Sequence, residues 1–294
     1  MSETFMGVGA PSRASEAVIL GAALATVYPD DDPHATGGPA ALRHASRRLA
    51  RFAGNYDFDI GRPFASWLGR IADGGDITTV RADAEGDRRR ITRAVATILQ
   101  QHAMPVLLGG DDSVAEPFVA GFLDLGPITV VHIDAHLDFR DEVAGEPHGY
   151  SSTMRRASEM EWVRRVIHVG QRGVGSSRTS DVQESLAAGN IIVTARDLDR
   201  AGTAAVAGQL DEDEPFLIVY GVDGTDPADI PAVRTPVPGG PSATVIGELF
   251  GVLAARGSFE GLVVTEFEAT LDPHGASALI LAGLVCRALE ARLG

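Results

Sequence analysis

ITVVHIDAHLD, residues 128–138, decides how the rest of the chain is read. Its first half is rich in valine and isoleucine without apolar/polar alternation, the pattern of a strand buried on both faces of a parallel sheet. Its second half places Asp134, His136 and Asp138 at every other position. Alternate side chains of an extended backbone share a face, so the three point the same way. The same plan, an apolar run ending abruptly in acid, recurs in PVLLGGDDS (105–113), FLIVYGVDGTDP (216–227) and LVVTEFEATLD (262–272). Open parallel sheets bind ligands beyond the carboxyl ends of their strands. Four acidic clusters at four such ends are therefore expected to meet in one cleft.

Around these stretches, short apolar runs alternate with helical patterns, which predicts an α/β fold with helices on both faces of a mostly parallel sheet. Candidate strands lie at 17–24, 105–110, 128–135, 165–170, 190–195, 216–222 and 262–268. Candidate helices lie at 39–52, 86–102, 112–123, 178–188, 199–209, 242–256 and 276–293, and 54–86, 139–150 and 223–241 read as loops. No repeat, low-complexity tract or linker interrupts the pattern, so residues 1–294 are expected to form a single domain.

The formal net charge of −15 argues against nucleic acid or an anionic membrane as partner, and is compatible with cationic substrates. The opening MSETFMGVGAPSRASE has no basic segment leading into an apolar core, so no signal peptide is expected. Apolar stretches of about ten residues are too short to cross a bilayer. A lone cysteine, Cys286, excludes an internal disulfide framework and fits a reducing cytoplasm. Within ILAGLVCRAL it reads as a small buried hydrophobe.

Two carboxylates and an imidazole make a mixed oxygen/nitrogen donor set, suited to Mn²⁺, Ni²⁺, Fe²⁺ or Zn²⁺ rather than to an all-oxygen calcium cage. A salt-bridged strand end is the plainer alternative, but three such groups after an apolar strand are costly to bury unpaired. In Gly109-Gly110-Asp111-Asp112-Ser113 the glycines allow a tight strand-to-helix turn, and a cap accounts for one of the two aspartates. The other is left to face the cleft. His148, in the loop GEPHGYSS, is a candidate proton carrier, although most loop histidines are merely solvated. Glu268, after the last strand, is a candidate carboxylate for gripping a cationic group. His132 reads as a hydrogen-bonded core histidine, His44 and His102 as helix surface, and His34, His168 and His274 carry no pattern.

Together these stretches resemble the arginase–agmatinase (ureohydrolase) family. The resemblance runs through Gly38-Pro39-Ala40-Ala41-Leu42-Arg43, the Gly-Gly-Asp-His-Ser-like segment 109–113, the complete Asp-Ala-His-x-Asp of 134–138, and His148-Gly149 followed by MRRA. It continues through VYGVDGTDP (219–227), PVPGG (236–240) and the late glutamate, matched by Glu268. The resemblance implies a three-layer α/β/α domain. It implies hydrolysis of a guanidino-type C–N bond to urea and an amine, with two Mn²⁺ or two Ni²⁺ ions activating water. The related deacetylases share the fold but use another metal motif, and the second aspartate of the motif, Asp138, argues against that branch. The implied ligands are Asp112, Asp134 and Asp138 for one ion and Asp134, His136 and Asp223 for the other. His148 and Glu268 are implied as the catalytic groups, with Asp226 behind them.

Two positions depart from the family pattern. Asp112 stands where the family has a metal-binding histidine, and Gly221 stands where it has a carboxylate shared by both ions. The four aspartates still carry enough charge for two divalent ions, but a bridging ligand is lost, which should weaken binding by at least ~10–100-fold. The expected function is therefore that of a chain in an amidinohydrolase assembly with an impaired centre of its own. It would be a homo- or hetero-oligomer, trimeric or hexameric, with a ureohydrolase paralogue, as in heteromeric hydrolases of the metformin-hydrolase type. An active enzyme with an altered one- or two-metal site is the first alternative, and a metal-free binder of a small molecule the second. Restoring Asp112→His with Gly221→Asp is expected to raise metal affinity.

Overall fold

The computed structural model describes residues 3–26, 28–29, 31–80 and 82–294. Its strands are β1 (Ala17–Ala22), β2 (Tyr56–Asp57), β3 (Arg62–Pro63), β4 (Ile71–Asp76), β5 (Met104–Gly109), β6 (Ile128–Ile133), β7 (Val163–Val169), β8 (Ile191–Val193), β9 (Pro215–Gly221) and β10 (Ser258–Thr265). Among the described residues, eight of these form one sheet in the order β4-β1-β5-β10-β9-β6-β7-β8, with every neighbouring pair parallel. β2 and β3 make a separate antiparallel hairpin. The helices are α1 (Gly38–Ala50), α2 (Ala84–Gln100), α3 (Ala115–Ala120), α4 (Thr153–Ser158), α5 (Thr179–Ala187), α6 (Ala195–Ala201), α7 (Ala204–Ala207), α8 (Ala243–Ala254) and α9 (Ala276–Leu293).

The absence of alternation in the central strands has its expected cause. Every residue of β5 and β6 is buried, and successive side chains enter opposite cores. Val131, Ile133, Ile218 and Tyr220 pack with Leu42 of α1, Leu249 of α8 and Leu281 of α9. Val130, Leu217 and Val219 pack on the other face with Ile91 of α2, Phe118 of α3 and Met154 of α4. This is a three-layer α/β/α arrangement around a parallel sheet, as expected. Cys286 lies in the first of these cores at 2 % exposure.

β4 and the hairpin fall within the 54–86 stretch that reads as loop. IADGGD has almost no apolar pattern because β4 is an edge strand paired only with β1, where a ladder tolerates glycine and acid. The 199–209 helix is in fact two short ones, α6 and α7, separated at Gly202, whose φ is +67°. The helix expected from 112 begins as a 3₁₀ turn over Asp112–Val114 and becomes α3 at Ala115.

What positions the site is the middle of the sheet. β5, β10, β9 and β6 are consecutive neighbours, and their ends are level: Val264 pairs with Leu108, Thr265 with Gly221 and Ile133 with Tyr220. The four acidic segments thus leave the sheet from one rim.

Candidate metal centre

β6 supplies the middle of the rim. Beyond Ile133 the chain stays attached to the end of β7, because the Asp134 N–H donates to the Val169 carbonyl (3.0 Å) and the Arg172 N–H to the Ala135 carbonyl (3.1 Å). At Asp138 it turns through a left-handed conformation, φ +48°, and the Asp138 carbonyl accepts the N–H of Met154 in the first turn of α4 (3.1 Å). β9 supplies Asp223 from a single 3₁₀ turn, Val222–Gly224. That turn is clamped by Arg172, whose guanidinium donates to the carbonyls of Asp223 (2.8 Å), Gly224 (3.0 Å) and Thr225 (3.1 Å). Asp226 accepts the N–H groups of Ala228, Gly239 and Gly240 at 2.7–2.9 Å, so it ties this loop to the PVPGG turn and lies outside the cluster.

The two aspartates after β5 divide their work. Asp111 accepts from the N–H and hydroxyl of Ser113 and from the Thr26 N–H (2.6 Å), so it is the capping residue. Asp112 faces the rim, its carboxylate held by the Thr265 hydroxyl and its N–H donating to Glu266 Oε1 (2.9 Å). Glu266 follows β10 directly, is 6 % exposed, and has φ +66°, a conformation that L-residues other than Asn and Asp seldom adopt. Its other oxygen meets His34 Nε2 (2.8 Å). Glu268, the carboxylate expected here, is placed elsewhere: its oxygens accept the Ala35 N–H (2.8 Å) and the N–H and hydroxyl of Thr270. The carboxylate of this turn that adjoins Asp112 is Glu266.

Among the described residues, two triads of ligand-type atoms form, each with its atoms within 4.8 Å of one another: Asp134, His136 and Asp223, and His132, Asp134 and Asp138. The first is the set expected. In it His136 Nδ1 lies 3.0 Å from Asp223 Oδ2 and 3.3 Å from Asp134 Oδ1. The second departs from expectation, since His132 stands with Asp134 and Asp138 while Asp112 belongs to neither triad. His132 Nε2 is 3.6 Å from Asp138 Oδ2 and 3.7 Å from Asp134 Oδ2, beyond hydrogen-bond range. His132 is a core histidine with a hydrogen bond, from its Nδ1 to His168 Nδ1 (3.1 Å), but its other nitrogen is open.

Among the described residues, four buried atoms here have no hydrogen-bond partner: His132 Nε2, Asp134 Oδ2, Asp138 Oδ2 and Asp223 Oδ1. Orphaned buried polar atoms are rare, and their grouping within these triads fits a divalent cation, for which carboxylate and imidazole are the right donors. The protonation pattern agrees. Burial, reinforced by the charge of Asp134, pushes the Asp112 and Asp138 carboxyls well above the usual range. Burial and Asp134 raise Asp223 to about 7, and burial and Glu266 raise Asp111 to about 6. Burial disfavours charge on His136, but Asp134 and Asp223 outweigh it and push the imidazole up to about 12. Asp134, despite its burial, is held well below the carboxylate range by the neighbouring His136 imidazolium. The cluster thus draws in positive charge, as protons and as the His136 imidazolium.

Gly221, the last residue of β9, borders the Asp134 carboxylate. A Cβ at this position would lie 1.9 Å from Asp134 Oδ2 and 3.5 Å from Asp223 Oδ1. The Asp134 carboxylate therefore fills the room that a side chain at 221 would take. One of its oxygens faces His136 and the other His132, so Asp134 bridges the two triads.

His148 lies outside both triads. Its Nδ1 contacts the Glu116 carboxylate (2.9 and 3.0 Å), its N–H donates to Glu146 (2.8 Å), and it lines a cavity of about 110 Å³ with Thr26, Arg88 and Ser113. Glu116 orients this imidazole by holding Nδ1, which leaves Nε2 for proton exchange. Sequence reasoning missed His132, Glu266, Glu116 and Arg172. Parity alone could have recovered His132, two residues before Asp134 on the same strand face.

Fold and cluster together define a class: a parallel α/β domain with a carboxylate–imidazole centre at the carboxyl ends of its middle strands. Residues 15–290 match the arginase family, and the chain belongs to that family. It is similar to the agmatinase of Pyrococcus horikoshii, 30 % identical over 239 residues that span 80 % of this chain and 77 % of the relative. It is also similar to the human mitochondrial guanidino acid hydrolase, 28 % identical over 262 residues that span 86 % of this chain and 72 % of the relative. Among solved structures, proclavaminate amidino hydrolase from Streptomyces clavuligerus superposes with a TM-score of 0.87, covering 99 % of this chain and 97 % of that one at 22 % identity, a likeness of fold. Among the described residues no helix is long and apolar enough to cross a membrane.

Proposed function

We propose that this chain carries an amidinohydrolase centre for a guanidino-type C–N bond, built around divalent ions, Mn²⁺ or Ni²⁺, held by Asp134, His136 and Asp223 and by Asp138 with its neighbours. The observation that carries the reading is the set of four buried atoms without a partner among the described residues, on His132, Asp134, Asp138 and Asp223, within the two triads at the carboxyl ends of β6 and β9. A divalent ion bound there would supply acidified water and a Lewis acid for the guanidinium carbon. The residues of the chain supply the rest. Glu266 presents a carboxylate to a guanidinium, whose planar N–H groups match carboxylate oxygens. His148, oriented by Glu116, can give a proton to the leaving amine from Nε2. Glu268 and Asp226 support the backbone around the site through the bonds described above.

Gly221 favours a second reading, in which this chain's centre is impaired and it serves as a supporting subunit for a ureohydrolase paralogue with the full ligand set. One experiment separates the two. Urea release from a panel of guanidino compounds, measured on the purified chain with Mn²⁺ or Ni²⁺, is expected under the first reading. Release only after mixing with the paralogue supports the second, and none in either case contradicts both.

A further inference from the structure

The chain has an aspartate where its family pattern has an imidazole, at 112, and it has a spare imidazole close by. His132 is fully buried, yet its Nε2 has no hydrogen-bond partner among the described residues and faces Asp134 and Asp138. We propose that His132 Nε2 takes the place of the missing imidazole and, with Asp134 and Asp138, ligates one divalent ion. This rests on the reading of the cluster as a metal centre.

Three features support the exchange. Asp112 is engaged otherwise, its carboxylate held by the Thr265 hydroxyl and its backbone by Glu266, and it is absent from both triads. Gly221 makes the room: Asp134 Oδ2 stands where a Cβ at 221 would begin, and this same oxygen faces His132. The third feature is the neighbour of His132. The Nδ1 atoms of His132 and His168 are 3.1 Å apart, and His168 Nε2 is 3.2 Å from the Ser185 hydroxyl. One nitrogen of each ring can donate and the other accept. If His132 donates from Nδ1, then His168 donates from Nε2 to Ser185, and His132 Nε2 presents a lone pair to the two carboxylates. In the opposite arrangement His132 carries an N–H at Nε2 with no acceptor within hydrogen-bond range. The first arrangement satisfies every donor once a cation fills the gap, and it is how a ligating histidine is ordinarily oriented. His168 is then a positioning residue.

The test uses the full chain, stripped of metal and reloaded with Mn²⁺, and counts imidazole nitrogens coupled to the ions by pulsed electron paramagnetic resonance. Two couplings are expected in the parent, from His132 and His136, with one remaining in His132→Gln and one in His136→Gln. Asp112→Ala should keep both couplings. Affinity for Mn²⁺ should fall more than ~100-fold in His132→Gln, beyond the usual effect of losing a residue behind the ligands. A single coupling in the parent, lost with His136 alone, would overturn the proposal even if His132→Gln failed to fold. A parent that binds no Mn²⁺ would instead overturn the metal-centre reading on which it rests.

Discussion

Two buried aspartates, Asp73 and Asp138, show how differently this fold treats the same group. Asp73, on the edge strand β4, is 3 % exposed and has two donors on each oxygen. Arg43 Nε (2.8 Å) and the Phe5 N–H (2.7 Å) reach Oδ2, and Arg43 Nη2 (3.0 Å) and the Gly75 N–H (2.8 Å) reach Oδ1. Asp138 is 5 % exposed, yet its Oδ2 has no donor and faces the similarly open Oδ2 of Asp134 across His132. Burial of a carboxylate is therefore not by itself a sign of function. The sign is a buried carboxylate from which the fold withholds donors, because the missing positive charge must then arrive from outside.

The contrast can be broken at either end. The largest effect is expected at the satisfied one: Arg43→Ala strands a buried charge and should cost about 3–5 kcal/mol of stability, read by urea denaturation. At the open end, Asp138→Asn should weaken divalent-metal affinity by ~100-fold or more while leaving the metal-free chain as stable or more so. Calorimetric titration with Mn²⁺, together with a melting curve without metal, checks both halves. Gly221→Ala should cost about 1–3 kcal/mol, because its Cβ drives Asp134 out of its place, and the same clash works against the gain in metal affinity expected of Gly221→Asp.

The smallest effect is one of pH. Asp111 and Asp223 have folded-state values of about 6 and about 7, above the unfolded carboxylate, so their contribution is full at low pH and is lost as pH rises through those values. His136, raised to about 12, also loses its contribution gradually above the unfolded histidine value near 6.5. His168, held well below that value by burial, works in the opposite direction. The carboxylates and His136 outnumber it. The Tm of the metal-free chain should therefore fall between pH 5 and pH 8, by about 2–4 °C for each kcal/mol lost. Added Mn²⁺ should reverse the fall at the alkaline end, since the deprotonated cluster binds it best.

Much of the fold was legible because valine and isoleucine runs bounded by acid announce parallel strands and their ends. The convergence of four clusters on one rim followed from that alone. β4 was illegible for a physical reason: beyond its ladder with β1, IADGGD is anchored through Asp73, whose partners Arg43 and Phe5 lie far away in sequence. At the site, Asp134, His136 and Asp223 could be read from alternation and from the family resemblance, and the structure brings them together. His132 was hidden by a true description, since it is a core histidine and only one of its nitrogens is engaged. Glu266 and Glu268 sit two residues apart after the same strand. Which of them adjoins the cluster depends on the left-handed turn at Glu266, φ +66°, for which the sequence offers no signal.

The most direct test of the account is the number of divalent ions the full chain binds after removal of all metal, by calorimetric titration with Mn²⁺ at pH 8. Saturable binding of about two ions per chain with release of protons is the predicted result, since the ligating carboxylates and His136 must give up theirs. A chain that takes up no ion and releases no proton would contradict the claim that these orphaned atoms form a metal centre.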